Sequence, residues 1–230
     1  MYILHYAPDN ASLIVRLALE EIGAPYKTVL VDRAKREQDS AAYRALNPAG
    51  LIPALETSDG PIFETGAILL WLSERHGTLA PAPGNHARPH FLKWLFFMSN
   101  ALHADMRALF YPERYAGSGA DLEAHHRTTD SRIEGHLRIL EVLAGEQPEF
   151  FAMNRPSMLT IYASVLLRWL ALYPERWRGW FDPAPYPALM AIARQMETRP
   201  ATLRAIAAEG LGPKPFTAPR PATPPEATAT

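Results

Sequence analysis

The first segment of the chain restricts its architecture most. Tyr2–Tyr6 (YILHY) is rich in aromatic and branched residues and stops at Pro8, as a short strand does. Leu13–Ile22 (LIVRLALEEI) places apolar residues at 14, 17, 18 and 22, a helical spacing, and Gly23 follows as its stop. Tyr26–Val31 (YKTVLV) reads as a second strand. A strand, a helix and a strand with so little chain between them form a crossover unit, so the two strands are expected to be parallel. From Asp32 to Leu46 the chain is charged, part loop and part helix. Ile52–Glu56 (IPALE) and Pro61–Glu64 (PIFE) follow, separated by Thr57-Ser58-Asp59-Gly60, and the Asp-Gly pair signals a hairpin. Thr65 then caps a helix from Gly66 to His76, closed by Gly77. The order is β-α-β-α-β-β-α.

After a Pro/Gly-rich link, residues 78–87, no convincing strand remains. Helices are expected over Arg88–Tyr111, Asp121–Ala144, Ser157–Leu172 and Tyr186–Glu197, with a short one near Ala201–Glu209. The chain therefore divides into an α/β unit (1–77) and an all-helical unit (88–212). The tail from Pro213 to Thr230 has six prolines and no Leu, Ile, Val or Met, a composition that predicts disorder.

Composition excludes several kinds of chemistry. Among 230 residues there is no cysteine, so disulfides, cysteine–zinc sites, iron–sulfur clusters and a cysteine nucleophile are ruled out. Any thiol must arrive on a ligand. With 23 Lys+Arg against 24 Asp+Glu, the charge is too balanced for a dedicated nucleic-acid or anionic-membrane binder. The greasiest run, Ala163–Tyr173 (ASVLLRWLALY), is too short to span a bilayer and carries Arg168. With no signal-peptide pattern in MYILHYAPDN, a cytoplasmic protein is expected. His86 and His90 have metal-ligand spacing, but nothing is placed to complete a site, so no metal is expected. Trp169, Trp177 and Trp180 beside Arg176 and Arg178 fit packing around a helix end better than base stacking.

Three stretches in register carry a resemblance: YAPDNASLIVRLALEEIGAPY, NPAGLIPALE and FETGAILLWLSERHG. Together they resemble the cytosolic glutathione transferases, nearest to bacterial beta-class and disulfide-reductase-type members. The likeness runs over roughly residues 2 to 211, including METRPATLRAIAAEGL. It implies an N-terminal thioredoxin-like domain, an all-helical C-terminal domain, a homodimer, and glutathione as co-substrate without a metal.

By that resemblance Pro53 is the family's cis-proline and Ile52 offers backbone contacts to the ligand's cysteinyl unit. In itself, Pro53 is also an ordinary edge-strand proline. Glu64 and Thr65 stand at a helix start, where a hydroxyl and free N–H groups bind a carboxylate and Glu64 pairs with an ammonium. The same residues serve as a plain helix cap. Lys35 and Arg36 lie where the family supplies a cation for the glycyl carboxylate, though charged loop residues are usually just solvated.

The stretch Tyr6-Ala7-Pro8-Asp9-Asn10-Ala11-Ser12 departs from the nearest relatives. Beta-class enzymes carry a cysteine where this chain has Ala11. Three residues are left to stabilise a thiolate: Ser12 first, at the start of the first helix; Asn10 second, by its amide N–H; Tyr6 third, at the strand end. Ser12 serves equally as a simple N-cap, and Tyr6 as a core residue. A hydrogen bond to the thiolate contributes ~1.5–3 kcal/mol and a helix N-terminus ~0.3–1 kcal/mol. At ~1.36 kcal/mol per pKa unit, together they lower a thiol by roughly one to three units from ~8.5.

On the substrate side, Ser99, His103, Met106, Arg107 and Phe110 fall on one helical face. His103 matches a histidine near the beta-class active site, although a lone helix histidine is often structural. The apolar members suit a small hydrophobic electrophile, in keeping with detoxification. In PSMLTIYASVLL, Thr160 stands where the family's capping box has Asp, so a lost cap partner is expected opposite Ser157. Two other functions share these features: a glutathione-dependent disulfide reductase or peroxidase, and a non-catalytic binding protein.

Overall fold

A computed structural model describes residues 1–117, 119, 121–152 and 155–223. Strands β1 (Tyr2–Tyr6), β2 (Tyr26–Leu30), β3 (Ala54–Thr57) and β4 (Gly60–Phe63) form one sheet in the order β2-β1-β3-β4. β1 and β2 run parallel, with Tyr2 opposite Tyr26 and Tyr6 opposite Leu30, as the short crossover requires. β3 pairs antiparallel to both β1 and β4, and the hairpin turns at Ser58-Asp59, so that Gly60 opens β4 opposite Thr57.

Helices α1 (Ser12–Ile22), α2 (Ala41–Leu46) and α3 (Thr65–His76) complete the first unit. α3 begins one residue earlier than expected: Glu64, at φ 70° and ψ 115°, is the capping position, and Thr65 is already helical. Gly23 and Gly77 end α1 and α3 in the left-handed conformation that costs glycine least.

The second unit is helical. α4 (Arg88–Phe97) runs through a π turn, Met98–Leu102, into α5 (His103–Phe110), where the sequence predicts one regular helix. Short α6 (Pro112–Tyr115) precedes α7 (Leu122–Glu146), α8 (Met158–Leu172), α9 (Pro187–Glu197) and α10 (Pro200–Glu209). α8 is apolar on nearly every side and is buried along almost its whole length, as a central helix must be. α1 packs on α3, α8 and α10, so one continuous apolar core joins the two units. No helix among the described residues is long and apolar enough to cross a membrane.

Two expectations are corrected. The capping box at α8 is complete: Ser157 Oγ accepts from Thr160 N–H at 3.2 Å, and Thr160 Oγ1 accepts from Ser157 N–H at 2.9 Å. A threonine hydroxyl reaches the same N–H as a carboxylate, so the substitution keeps the geometry. Thr160→Val, which leaves that buried N–H unsatisfied, is expected to lower stability by about 1–2 kcal/mol in urea unfolding.

The tail is the second correction. Residues 213–223 are ordered against the helical unit, while 224–230 lie outside the described residues. Phe216 is 1% exposed and belongs to the core. The backbone N–H groups of Phe216 and Thr217 both donate to Glu197 Oε1, at 2.8 and 2.7 Å. One aromatic, Ala222, the Thr217 hydroxyl and a row of backbone groups hold a segment that has no Leu, Ile, Val or Met.

Candidate functional site

A cavity of about 880 Å³ opens between the sheet's connecting loops and helices α5 and α8. Three loops of the first unit shape one side. Among the described residues, five non-glycine residues have positive φ, and three of them, Asp9, Arg36 and Glu64, line this cavity. Such backbone is costly and persists where the surroundings impose it, most often at functional sites.

The loop before β3 is fixed by convergence on one carbonyl. Tyr43 O–H and Asn47 Nδ2 both donate to Leu51 O, at 2.7 and 2.6 Å. Burial pushes the Tyr43 phenol pKa up, so it remains a donor. The Ile52–Pro53 bond that follows is cis, as the resemblance implies, and both residues line the cavity. Glu64 and Thr65 line it beside Gly66. No side chain caps α3, and the free N–H groups of its first turn form an anion-binding end next to the Glu64 carboxylate, which has no ion-pair partner among the described residues.

The two expected cations separate. Arg36 lines the cavity and shares Asp39 with Arg44, at 2.8 and 2.9 Å. Hydrogen bonds from these guanidiniums hold the Asp39 carboxyl below its usual range. Lys35 does not line the cavity; it is exposed and pairs with Asp32 at 2.9 Å. Arg33 is a lining residue that the sequence reading missed.

The loop after β1 sorts the three thiolate candidates. Ser12 is fully buried, and its hydroxyl is turned back on Ala7, donating to Ala7 O at 3.0 Å and accepting from Ala7 N–H at 3.3 Å. It holds the turn and does not line the cavity. Tyr6 is 3% exposed, with the Arg16 guanidinium 4.6 Å from its ring centre, and is also absent from the lining. Asn10 lines the cavity. Its Oδ1 accepts from Ala11 N–H at 2.8 Å, which leaves the Nδ2 donor without a partner among the described residues.

Asp9, unremarked in the sequence, fixes this loop. Its side chain is 0% exposed and accepts from Arg168 Nε and Nη2 at 2.7 and 2.8 Å, a bidentate pair. Trp169 Nε1–H and Tyr173 O–H donate to the same carboxylate at 3.0 and 3.2 Å. Arg168, also 0% exposed, donates its other protons to the carbonyls of Leu211, Pro215 and Arg220 at 3.5, 3.0 and 3.0 Å. Asp9 N–H donates to Glu209 Oε2 at 2.9 Å, and Arg16 pairs with Glu209 Oε1 at 2.6 Å. Burial raises the Glu209 pKa and Arg16 opposes that rise. The sequence signal was present: an arginine in the middle of an apolar run demands a buried partner.

On the opposite wall, Ser99, His103, Arg107 and Phe110 line the cavity, with Tyr162 and Trp169 of α8 behind them. Met106 does not; it is 0% exposed in the core. Within the regular helix α5, at about 100° per residue, Met106 lies about 60° to one side of His103 and Arg107 about 40° to the other, so Met106 is the edge of the face that turns into the core. His103 Nδ1 lies 2.8 Å from Tyr162 Oη, and its ring sits 5.4 Å from that of Trp169. Burial, then the Arg107 charge, pushes the His103 pKa down to about 4, so the ring is neutral at neutral pH.

Residues 11–75 match the family described as glutathione S-transferase, N-terminal domain. The chain is 28% identical to glutathione S-transferase GstA of Escherichia coli O157:H7, over 90% of this chain and 98% of that one. A sphingomonad glutathione S-transferase, solved in complex with glutathione, is 31% identical and superposes with a TM-score of 0.75, covering 91% of this chain and 100% of that one. A bacterial beta-class enzyme from Sphingomonas chungbukensis is 29% identical with a TM-score of 0.71, over 89% and 96% of the two chains. With thioredoxin-like sheet, cis-proline and helical half all in register, the chain belongs to the glutathione transferase family.

Proposed function

We propose that the protein binds reduced glutathione in this cavity, holds its sulfur as the thiolate and directs it at a small electrophile with an apolar body. The observation that carries the reading is convergence. Asn10, the cis Ile52–Pro53 bond and the Glu64–Thr65 helix start line one cavity that continues onto Phe110 and Trp169. Glutathione carries an ammonium for Glu64, a neighbouring carboxylate for the N–H groups at Thr65 and Gly66, and a backbone for Ile52. Its glycyl carboxylate faces Arg36 or Arg33. The sulfur then lies by Asn10 at the N-terminal end of α1, where the amide N–H and the helix end favour the charged form. On this reading the protein works as a cytoplasmic homodimer.

The test is a pH titration of thiolate absorbance for bound glutathione. In the wild type the thiol pKa is expected roughly one to three units below the free value. Asn10→Ala is expected to return about one to two of those units. Ser12→Ala, whose hydroxyl serves Ala7, is expected to change stability more than thiol pKa. Glutathione bound with an unshifted thiol overturns the transferase reading. A product that is oxidised glutathione, formed from a disulfide or hydroperoxide with no conjugate, replaces it by the reductase reading.

A further inference from the structure

The charges around the cavity do not cancel, and the imbalance has a direction. Five arginines line it: 33, 36, 44, 107 and 114. Arg36 and Arg44 share Asp39. Asp9 is held by Arg168, and Glu175 pairs with Arg178 at 3.1 Å. Glu64 is thus the lining carboxylate without an ion pair, while Arg33, Arg107 and Arg114 have no carboxylate within ion-pair distance among the described residues. Arg33 reaches only the Tyr111 hydroxyl at 3.4 Å, and Arg114 lies over the Tyr111 ring at 5.3 Å.

Glutathione does not use all of these cations. Its ammonium and first carboxylate belong at the α3 start, and its remaining carboxylate needs one arginine, from the loop that holds Arg33 and Arg36. Arg107 and Arg114 belong to the helical wall, in and just after α5, and Arg33 reaches that wall at the Tyr111 hydroxyl. Arg107 is only partly exposed, and a guanidinium withdrawn from water without a counter-ion is unfavourable until an anion arrives. The neighbouring His103 is neutral and cannot supply one.

We propose that the second substrate is a carboxylate-bearing electrophile: an aromatic or unsaturated body that packs on Phe110 and Tyr111, with its carboxylate on Arg107, assisted by Arg114. This rests on the transferase reading and narrows it from hydrophobic electrophiles to anionic ones. The reaction with an aryl halide balances simply. The glutathione sulfur forms a bond to the ring carbon, the carbon–halogen bond breaks, halide leaves with the electron pair, and the thiol proton passes to solvent.

The experiment compares 4-chloro-3-nitrobenzoate with its methyl ester, which share a ring and leaving group and differ in charge. Because the para ester also activates the ring more than the carboxylate does, every kcat/KM is divided by that compound's uncatalysed rate constant with glutathione thiolate before the two are compared. The expected kcat/KM for the acid exceeds that for the ester by about tenfold. Arg107→Gln and, separately, Arg114→Gln are expected to shrink that ratio, mainly through KM for the acid. Raising the salt should weaken the acid's reaction more than the ester's. If both compounds react but the ester is preferred, or neither variant alters the ratio, the anionic assignment is overturned while the transferase reading stands. If neither reacts, calorimetric titration with 3-nitrobenzoate decides. Binding that Arg107→Gln abolishes keeps the anion site and rejects the transferase; no binding to the wild type rejects the anion site.

Discussion

Arg168→Met is expected to destabilise the protein by about 3–5 kcal/mol, a fall in Tm of roughly 6–20 °C for a chain of this size. The substitution keeps most of the volume, so the cost is electrostatic. The Asp9 carboxylate, 0% exposed, loses both guanidinium bonds and keeps only the Trp169 and Tyr173 donors. Three backbone carbonyls, at Leu211, Pro215 and Arg220, lose their donor at the same time. Adding Asp9→Asn should recover part of the loss, because it removes the uncompensated charge, and asparagine tolerates the positive φ of 51° found there. Urea-unfolding midpoints of the two singles and the double measure this. A double mutant no more stable than Arg168→Met alone would show that packing, not charge, dominates. In the same proteins glutathione affinity should fall, since Asn10 follows directly on Asp9.

Phe216→Ala is the second large effect, expected at about 3–5 kcal/mol. The ring is 1% exposed and packs in the main core, although it sits in a segment whose composition predicts no order. Its loss opens a cavity and also loosens the strap that brings the Pro215 and Arg220 carbonyls to Arg168. Calorimetry should therefore show a lower Tm, and proteolysis a new cleavage site between 213 and 223. A variant within about 1 kcal/mol of wild type would mean that the tail is only an accessory.

These two residues also show where sequence reading stops. The first unit was legible because its information is local: Gly23, Gly77 and the Asp-Gly hairpin each act within a few positions, and the crossover geometry follows from chain length. The cis-proline and the Glu64–Thr65 start were legible through a family pattern. The tail was not, because apart from Phe216 most of its adhesion comes from backbone N–H and C=O groups, which composition does not count. Ser12 has the position of a thiolate donor, but position does not give direction: its hydroxyl is oriented by the N–H and C=O of Ala7. Met106 sits at the edge of the helical face, and spacing alone does not say which edge turns into the core. Arg107 stands on the pocket face in the sequence, but its charge gains meaning only because the lining carboxylates Asp9, Asp39 and Glu175 each have a cation of their own, which leaves Glu64 alone unpaired among the described lining carboxylates.

The grip of Arg168 sets an order of assembly. A ribosome releases the strands and α1 first, and their hydrogen bonds and crossover need nothing from later in the chain. The loop that presents Asn10 is different. Its counter-ion is synthesised 159 residues after Asp9, and the carbonyls that complete that counter-ion's shell extend to Arg220. A nascent chain can thus own a finished sheet while the loop that carries Asp9 and Asn10 still lacks the partners that fix it, which come with the last described residues of the protein.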